Sequence, residues 1–280
     1  TFDGSARDLV TWADDSSRKR MIFGTPDKLY EQDGDQLYDI TPITTAVTLA
    51  NCFGTSSGST RVCCSDANHG RAVGDYVYFT STATFNAVSL STNVYPITSV
   101  DSANIFTITV TTAANATASD VGSATFNYYI PTGYSIAAAG LGYGAATFQA
   151  GVCASQTRAW SQPASAGSSG IIFDITQWSL DNWGEDIIAN RSGSNIFRFD
   201  TNASTTPMHA TSIATSPVSV NSILVSPNDR HLIAFGTNQY SATATVSGTF
   251  NPMLVRWSDQ DDPTEWNPTA ATTAGEVVLT

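Results

Sequence analysis

Positive charge is scarce in this chain. Twelve Lys and Arg stand against 24 Asp and Glu over 280 residues, for a net charge of −12. A tight nucleic-acid binder needs a basic track that neutralises phosphates, so binding of that kind is disfavoured. Long apolar runs are also missing. The longest candidate, SIAAAGLGYGAA at 135–146, is too short and too glycine-rich to span a bilayer, so no membrane anchor is expected. The first residues, TFDGSARDLV, lack a basic segment followed by an apolar one, and no signal peptide is expected. With GEVVLT at the other end reading as the beginning of a strand, the chain reads as a piece of a longer protein.

Motifs for common chemistries are absent as well. There is no G-x-S-x-G, no H-E-x-x-H, no P-loop, and no G-x-G-x-x-G opening a helix. GLGYGAA at 140–146 has close glycines but no phosphate-binding Lys, and reads as a turning β loop. The four cysteines, Cys52, Cys63, Cys64 and Cys153, form no C-x-x-C. On a strand the neighbours Cys63 and Cys64 point to opposite faces, which argues against a shared zinc. A bridge from Cys52 to Cys63 or Cys64 is geometrically open, but free, mostly buried thiols are expected. His69 sits in a glycine-flanked turn with no nucleophile signature beside it, and is read as a turn stabiliser rather than a base. The sequons at Asn115, Asn190 and Asn202 matter only in a secreted eukaryotic protein.

What the chain has is β pattern. Thr, Val, Ile, Tyr and Phe alternate with Ser, Asn and Gly, and helical periodicity is nearly absent, which predicts an all-β fold. Three segments repeat one plan of apolar strand, turn, and second strand: RMIFGTPDKLYEQDG (20–34), EDIIANRSGSNIFRFDT (185–201), and HLIAFGTN (231–238) resuming at MLVRWSD (253–259). The last two lie about 46 residues apart, near the length of a four-stranded propeller blade. Such sheets cannot cover their own faces and must stack. The reading is therefore a β-propeller-like set of blades, incomplete in this chain, with an inserted small β-barrel or β-sandwich. The expected organisation is a first blade region at 1–43, an inserted domain at 44–128, and further blades at 129–280, with a degenerate one near 129–175. SQPASAGSSG at 161–170 fits a loop better than a boundary.

The stretch WSDQDDPTEW at 257–266 is the most chemically suggestive. It encloses four carboxylates, Asp259, Asp261, Asp262 and Glu265, between Trp257 and Trp266, with no basic group. A calcium loop needs ligands at alternating positions and a glycine at the sharp turn; here the carboxylates alternate imperfectly, Pro263 stiffens the middle and the glycine is missing. EQDGDQLYD at 31–39 has the glycine but reads more simply as a hairpin turn. Glycosidases place two carboxylates across a sugar ring, which ten crowded residues do not assign. No catalytic, cofactor or metal residue is therefore assigned, and no enzyme activity is expected. Trp257 is read at the repeated outer-strand position that holds Phe199 in the second copy and Glu31 or residues near it in the first. Pro263 is expected to end the pairing, and Trp266 to fold back as an apolar plug.

Four phrases, in order, carry a resemblance: LYEQDGDQLYDITP (29–42), WSLDNWGEDIIANRSGSNIFRFD (178–200), SILVSPNDRHLIAFGTN (222–238) and FNPMLVRWSDQDDPTEWNPTAATTAGEVVLT (250–280). They resemble the β-propeller tail proteins of short-tailed bacteriophages that form the hexameric nozzle beneath the portal and adaptor. The module with HG and GD turns followed by YPITSVDSANIFTITV is similar to a small β-domain inserted into many phage tail proteins. The resemblance implies a virion protein of architectural role: a six-fold self-assembled ring that meets portal and adaptor proteins, carries fibres or spikes, and lets DNA pass without reading its sequence. It implies no cofactor and carries over no site residue. A receptor- or carbohydrate-binding tail component, using Trp257 and Trp266 as a sugar platform, is the alternative. The chain departs from the family in stopping after GEVVLT, where further blades are expected.

Overall fold

The computed structural model describes residues 2–14, 16–26, 28–130, 177–202, 209–241 and 248–279. These residues are all-β, in antiparallel sheets, and none forms a helix long and apolar enough to cross a membrane. They divide into two compact units. One takes the chain up to Pro42 and its described residues from Gln177 onward, and the other is Ile43–Ile130. The blade expected near 129–175, the loops at 140–146 and 161–170, and Cys153 fall almost wholly or wholly outside the described residues.

The first unit opens with a four-stranded meander, β1 (Asp8–Ala13), β2 (Lys19–Gly24), β3 (Leu29–Asp33) and β4 (Gln36–Asp39), paired in that order. The β3–β4 hairpin turns at Gly34, whose φ of +60° is a left-handed conformation that glycine takes without strain.

In the second unit the chain forms β5 (Val47–Leu49), β6 (Phe53–Thr55), β7 (Arg61–Ser65), β8 (Tyr76–Phe79), β9 (Ala83–Phe85), β10 (Val88–Leu90), β11 (Val94–Ser102), β12 (Ile105–Thr109), β13 (Ala118–Val121) and β14 (Ala124–Tyr128). Eight of these pair in the order β13-β6-β7-β12-β11-β8-β14-β5, with β9 and β10 as a separate hairpin. Strand β11 serves both halves of this sheet, and register shifts after Ile97 and Val100 let it bend between them. The two halves meet over an aromatic core in which Phe79 lies 6.0 Å from Phe53 and 5.4 Å from Phe126. Cys52 and Cys64 are free thiols buried in this core. Cys63 faces the other way and is not a free thiol, which corrects the expectation that all the cysteines are free.

Two more meanders complete the first unit. One is β15 (Trp178–Trp183), β16 (Asp186–Arg191), β17 (Ile196–Phe199) and β18 (Thr211–Ser212). The other is β19 (Val220–Val225), β20 (Leu232–Asn238), β21 (Phe250–Trp257) and β22 (Gly275–Val278). The first strands β1, β15 and β19 are successive neighbours, so the three sheets stack blade upon blade. Between the first two, Trp178 lies on Gly24 and donates its indole N–H to Thr25 O at 2.9 Å. Between the second and third, Ser179 Oγ exchanges hydrogen bonds with the backbone of Ile223, and Asp181 accepts the Val225 N–H at 2.7 Å. Behind these clamps Trp183, Ile188 and Ile196 pack with Ile223, Leu232, Ala234 and Trp266.

Directly opposed residues of an antiparallel ladder share a face, so register shows which way each sheet looks. Glu31 opposes Ile22 on the face that meets the second sheet, and Arg198 opposes Ile188 on the face that meets the third. Trp257 opposes Ile233 on the corresponding face of the third sheet. The repeated position therefore holds Glu31, Arg198 and Trp257. It lies on each third strand, inside the outermost strands β4, β18 and β22, and Phe199 belongs to the opposite face.

Candidate functional site

The acidic stretch begins where β21 ends. Ser258 keeps its N–H on Leu232 O, and Asp259 then turns its own N–H to Glu265 O at 2.7 Å. The chain thus leaves the ladder four residues before Pro263. That corrects the expected role of the proline, which is buried and accepts the Trp266 indole N–H at 2.8 Å.

Each carboxylate of the stretch has its own donor. Asp259 Oδ1 accepts both the N–H and the hydroxyl of Thr273, each at 2.6 Å, and these bonds hold its carboxyl below the usual range. Asp261 pairs with Arg230 Nε at 2.9 Å. Asp262 Oδ1 accepts the N–H and hydroxyl of Thr264 at 2.8 and 2.6 Å. Glu265 Oε1 accepts the Asn267 N–H at 2.7 Å. Carboxylates tied to four separate donors brace a loop; they do not converge on one point as a metal or a glycosyl centre requires. Among the described residues no group of three or more His, Cys, Asp or Glu could hold a metal ion.

The two tryptophans also part company. Trp266 is 1% exposed and sits in the core between the second and third sheets, so it cannot stack on a sugar. Trp257 is half-buried, with its indole N–H on Thr273 O at 2.8 Å and its ring flat over Gly275. A Cβ on Gly275 would come within 2.5 Å of that ring, so the glycine lets it lie down on the sheet. The pair forms no shared platform.

The other sites read from sequence resolve in the same way. In EQDGDQLYD, Glu31 meets Arg20 Nη1 at 2.6 Å, Asp33 faces Arg18 and Arg20, and Asp39 pairs with Lys28 at 3.1 Å. His69 is buried edge-on to Phe106; its Nδ1 accepts the Arg71 N–H at 3.0 Å and its Nε2 lies 3.1 Å from Ser102 O. Those contacts assign the neutral Nε2–H tautomer and leave neither nitrogen for catalysis. Asn190 is fully buried and donates to Ser194 O and Asn195 O, both at 3.1 Å.

Ion pairs across the sheet faces, that of Arg20 and Glu31 buried, are what sequence inspection missed. Arg20 on β2 and Glu31 on β3 sit diagonally across one face, with Asp14 also on Arg20 at 3.2 Å. Asp186 on β16 and Arg198 on β17 occupy the same two positions in the second sheet with the signs exchanged. Burial pushes the Glu31 carboxyl up, and the Arg20 guanidinium opposes this without cancelling it. In the second unit Tyr128 donates to Asp66 at 2.6 Å beneath the Arg71 guanidinium. Each cluster ties neighbouring strands together through charge-assisted hydrogen bonds.

No family model matches the chain, and no curated protein matches it. Among solved structures it is similar to the phage phi92 endosialidase, at 15% sequence identity and a TM-score of 0.27, over 92% of this chain. The chain spans 37% of the length of that structure. At that score the architecture rests on the sheets themselves.

Proposed function

We propose that this chain is a structural subunit of a bacteriophage tail, one of the copies that form a ring, or nozzle, below the portal and adaptor. In that place it conducts and retains DNA and carries tail fibres or spikes. One observation carries the reading: the four family-like phrases fall on consecutive strands of three stacked meanders of one design. Residues 29–42 hold β3 and β4, 178–200 hold β15 to β17, 222–238 hold most of β19 and all of β20, and 250–280 hold β21 and β22.

The chemistry suits the role. A net charge of −12 repels phosphate, so DNA slides past with little adhesion, where a basic wall would retain it. The carboxylates of 257–266 tie their loop to itself, to Thr273 and to Arg230, which suits an architectural part. A nonsense mutation in the gene tests the reading. Particles should fill their heads and then lose their DNA, with retention restored by the chain supplied in trans. Fully loaded, infectious particles made without the chain would refute it.

A further inference from the structure

Two thiols of the second unit are brought together by the backbone. Asn51 takes a left-handed φ of +52° just before β6, and the Cys52 N–H that follows bonds Gly122 O at 3.0 Å. This turn breaks the alternation of a strand: Cys52 and Phe53 are sequence neighbours, yet both are buried in the same core. Cys64, on β7, stands opposite Phe53 and so looks into that core, while the Ser65 N–H closes on Cys52 O at 2.7 Å. The two sulfurs therefore meet across adjacent strands, with the Cys64 S–H donating to Cys52. That bond draws the Cys52 thiol below its ordinary value and, together with burial, holds Cys64 well above it.

The surroundings favour oxidation in two ways. Cys63, next to Cys64 and turned away from the core, is disulfide-bonded, and disulfides persist where thiols are free to oxidise. Strand β13, which pairs with β6, is a four-residue edge strand with a register shift between Ala118 and Val121 and left-handed backbone at Asp120 and Gly122. Gly122 is also the residue that holds the Cys52 N–H. A short, irregular edge opens at lower cost than the centre of a sheet, so Cys52 is the sulfur a reagent reaches first. Cys64 lies deeper, on a strand flanked by β6 and β12.

We propose that Cys52 and Cys64 are a redox pair, which closes an internal disulfide between β6 and β7 when the β13 edge opens to a small-molecule disulfide. The Cys52 thiolate attacks one sulfur of the reagent, forming a mixed disulfide and releasing one thiol. The Cys64 thiolate then attacks the Cys52 sulfur and expels the second thiol. The protein gives up two electrons and two protons, and the reagent is reduced to two thiols. The bridge joins strands that are already paired and restricts the unfolded chain over the loop 52–64. For a loop of that size the unfolding equilibrium moves by about 100-fold toward the folded state. The proposal rests on the second unit alone and does not depend on the tail assignment.

The test uses the whole chain and oxidised glutathione. After incubation, unfolding and alkylation, two fewer thiols should react than in the untreated protein, and peptide mapping without reduction should join Cys52 to the peptide that holds Cys64. Cys63→Ser should leave this bridge in place, which separates Cys64 from its neighbour. Cys64→Ala should instead stop at a mixed disulfide of Cys52 with glutathione. In guanidinium the bridged chain should unfold with the equilibrium of this unit shifted by about 100-fold, followed by hydrogen exchange in β6 and β7. Two thiols still reactive after prolonged incubation, a bridge that uses Cys63 in place of Cys64, or a bridged chain no more stable than the parent would overturn the inference.

Discussion

Gly24→Ala is the substitution on which the stacking of the first two sheets can be weighed most closely. Gly24 has an ordinary φ, so alanine costs nothing in the backbone; its methyl, however, would fall 1.9 Å from Trp178 Cδ1 and 2.3 Å from Cγ. The indole has to move. Overpacking of this kind costs about 1–3 kcal/mol, and loss of the indole bond to Thr25 O adds about 1–3 kcal/mol for buried groups left unpaired, so a total of about 3 kcal/mol is expected. Trp178→Ala, which empties the site, should cost about 3–5 kcal/mol. In the double variant the methyl meets no ring, so the cost should stay near that of Trp178→Ala alone, a coupling of about 3 kcal/mol. Guanidinium unfolding followed by far-UV circular dichroism measures the three values. Hydrogen exchange in β2 and β15 assigns the change to this unit, since two units need not unfold together. Additive costs, or a Gly24→Ala variant as stable as the parent, would refute the reasoning.

Three further outcomes follow from the same geometry. His209 Nδ1 lies 2.8 Å from Thr41 O, and burial holds its imidazole below the ordinary value of 6.5 despite that bond. The unfolded chain therefore takes up the proton first: the stability contribution is whole above about pH 6.5 and is lost as pH falls toward the folded pKa, and His209→Gln should flatten this slope in melts at pH 5.5 and 7.5. Arg20→Met strands Glu31 in the interior and should cost about 3–5 kcal/mol at neutral pH. Burial raises the Glu31 pKa in the folded chain and loss of Arg20 raises it further, so that penalty should shrink as pH falls toward the unfolded value of about 4.3 and be largely gone below it, where the carboxyl is protonated in both states; a pH-independent penalty would contradict the assignment. Trp266→Ala should cost about 3–5 kcal/mol, whereas Trp257→Ala, at a half-exposed site, should cost about 1 kcal/mol in the isolated chain. Equal costs in denaturant unfolding would contradict the separate places given to the two rings.

The fold class was legible because alternation and turn residues act locally. Gly34 ends a hairpin at a position only glycine takes freely, and the repeated apolar strand before it marks the meander. The facing of the strands was harder to read. In β16 both Ile187 and Ile188 are fully buried, since sheets lie on either side, so alternation no longer says which neighbour looks which way. This is why Phe199 looked equivalent to Trp257 when Arg198 holds that place. The partners of the acidic stretch were hidden for a related reason. Its key donor, Thr273, lies 14 residues beyond Asp259 and is brought back by the chain's return into β22, which no local pattern announces. Pro263 suggested a strand end from its missing N–H, yet the strand had already given way to side-chain and loop hydrogen bonds at Ser258 and Asp259.

The most direct test of the central claim is a cryo-electron microscopy map of the intact phage tail, with the chain built into density. The account predicts a ring below the portal and adaptor in which three stacked four-stranded meanders of each copy can be traced, with an acidic wall along the DNA path. A tail whose nozzle density is filled by other proteins, with this chain absent from the particle, would contradict it.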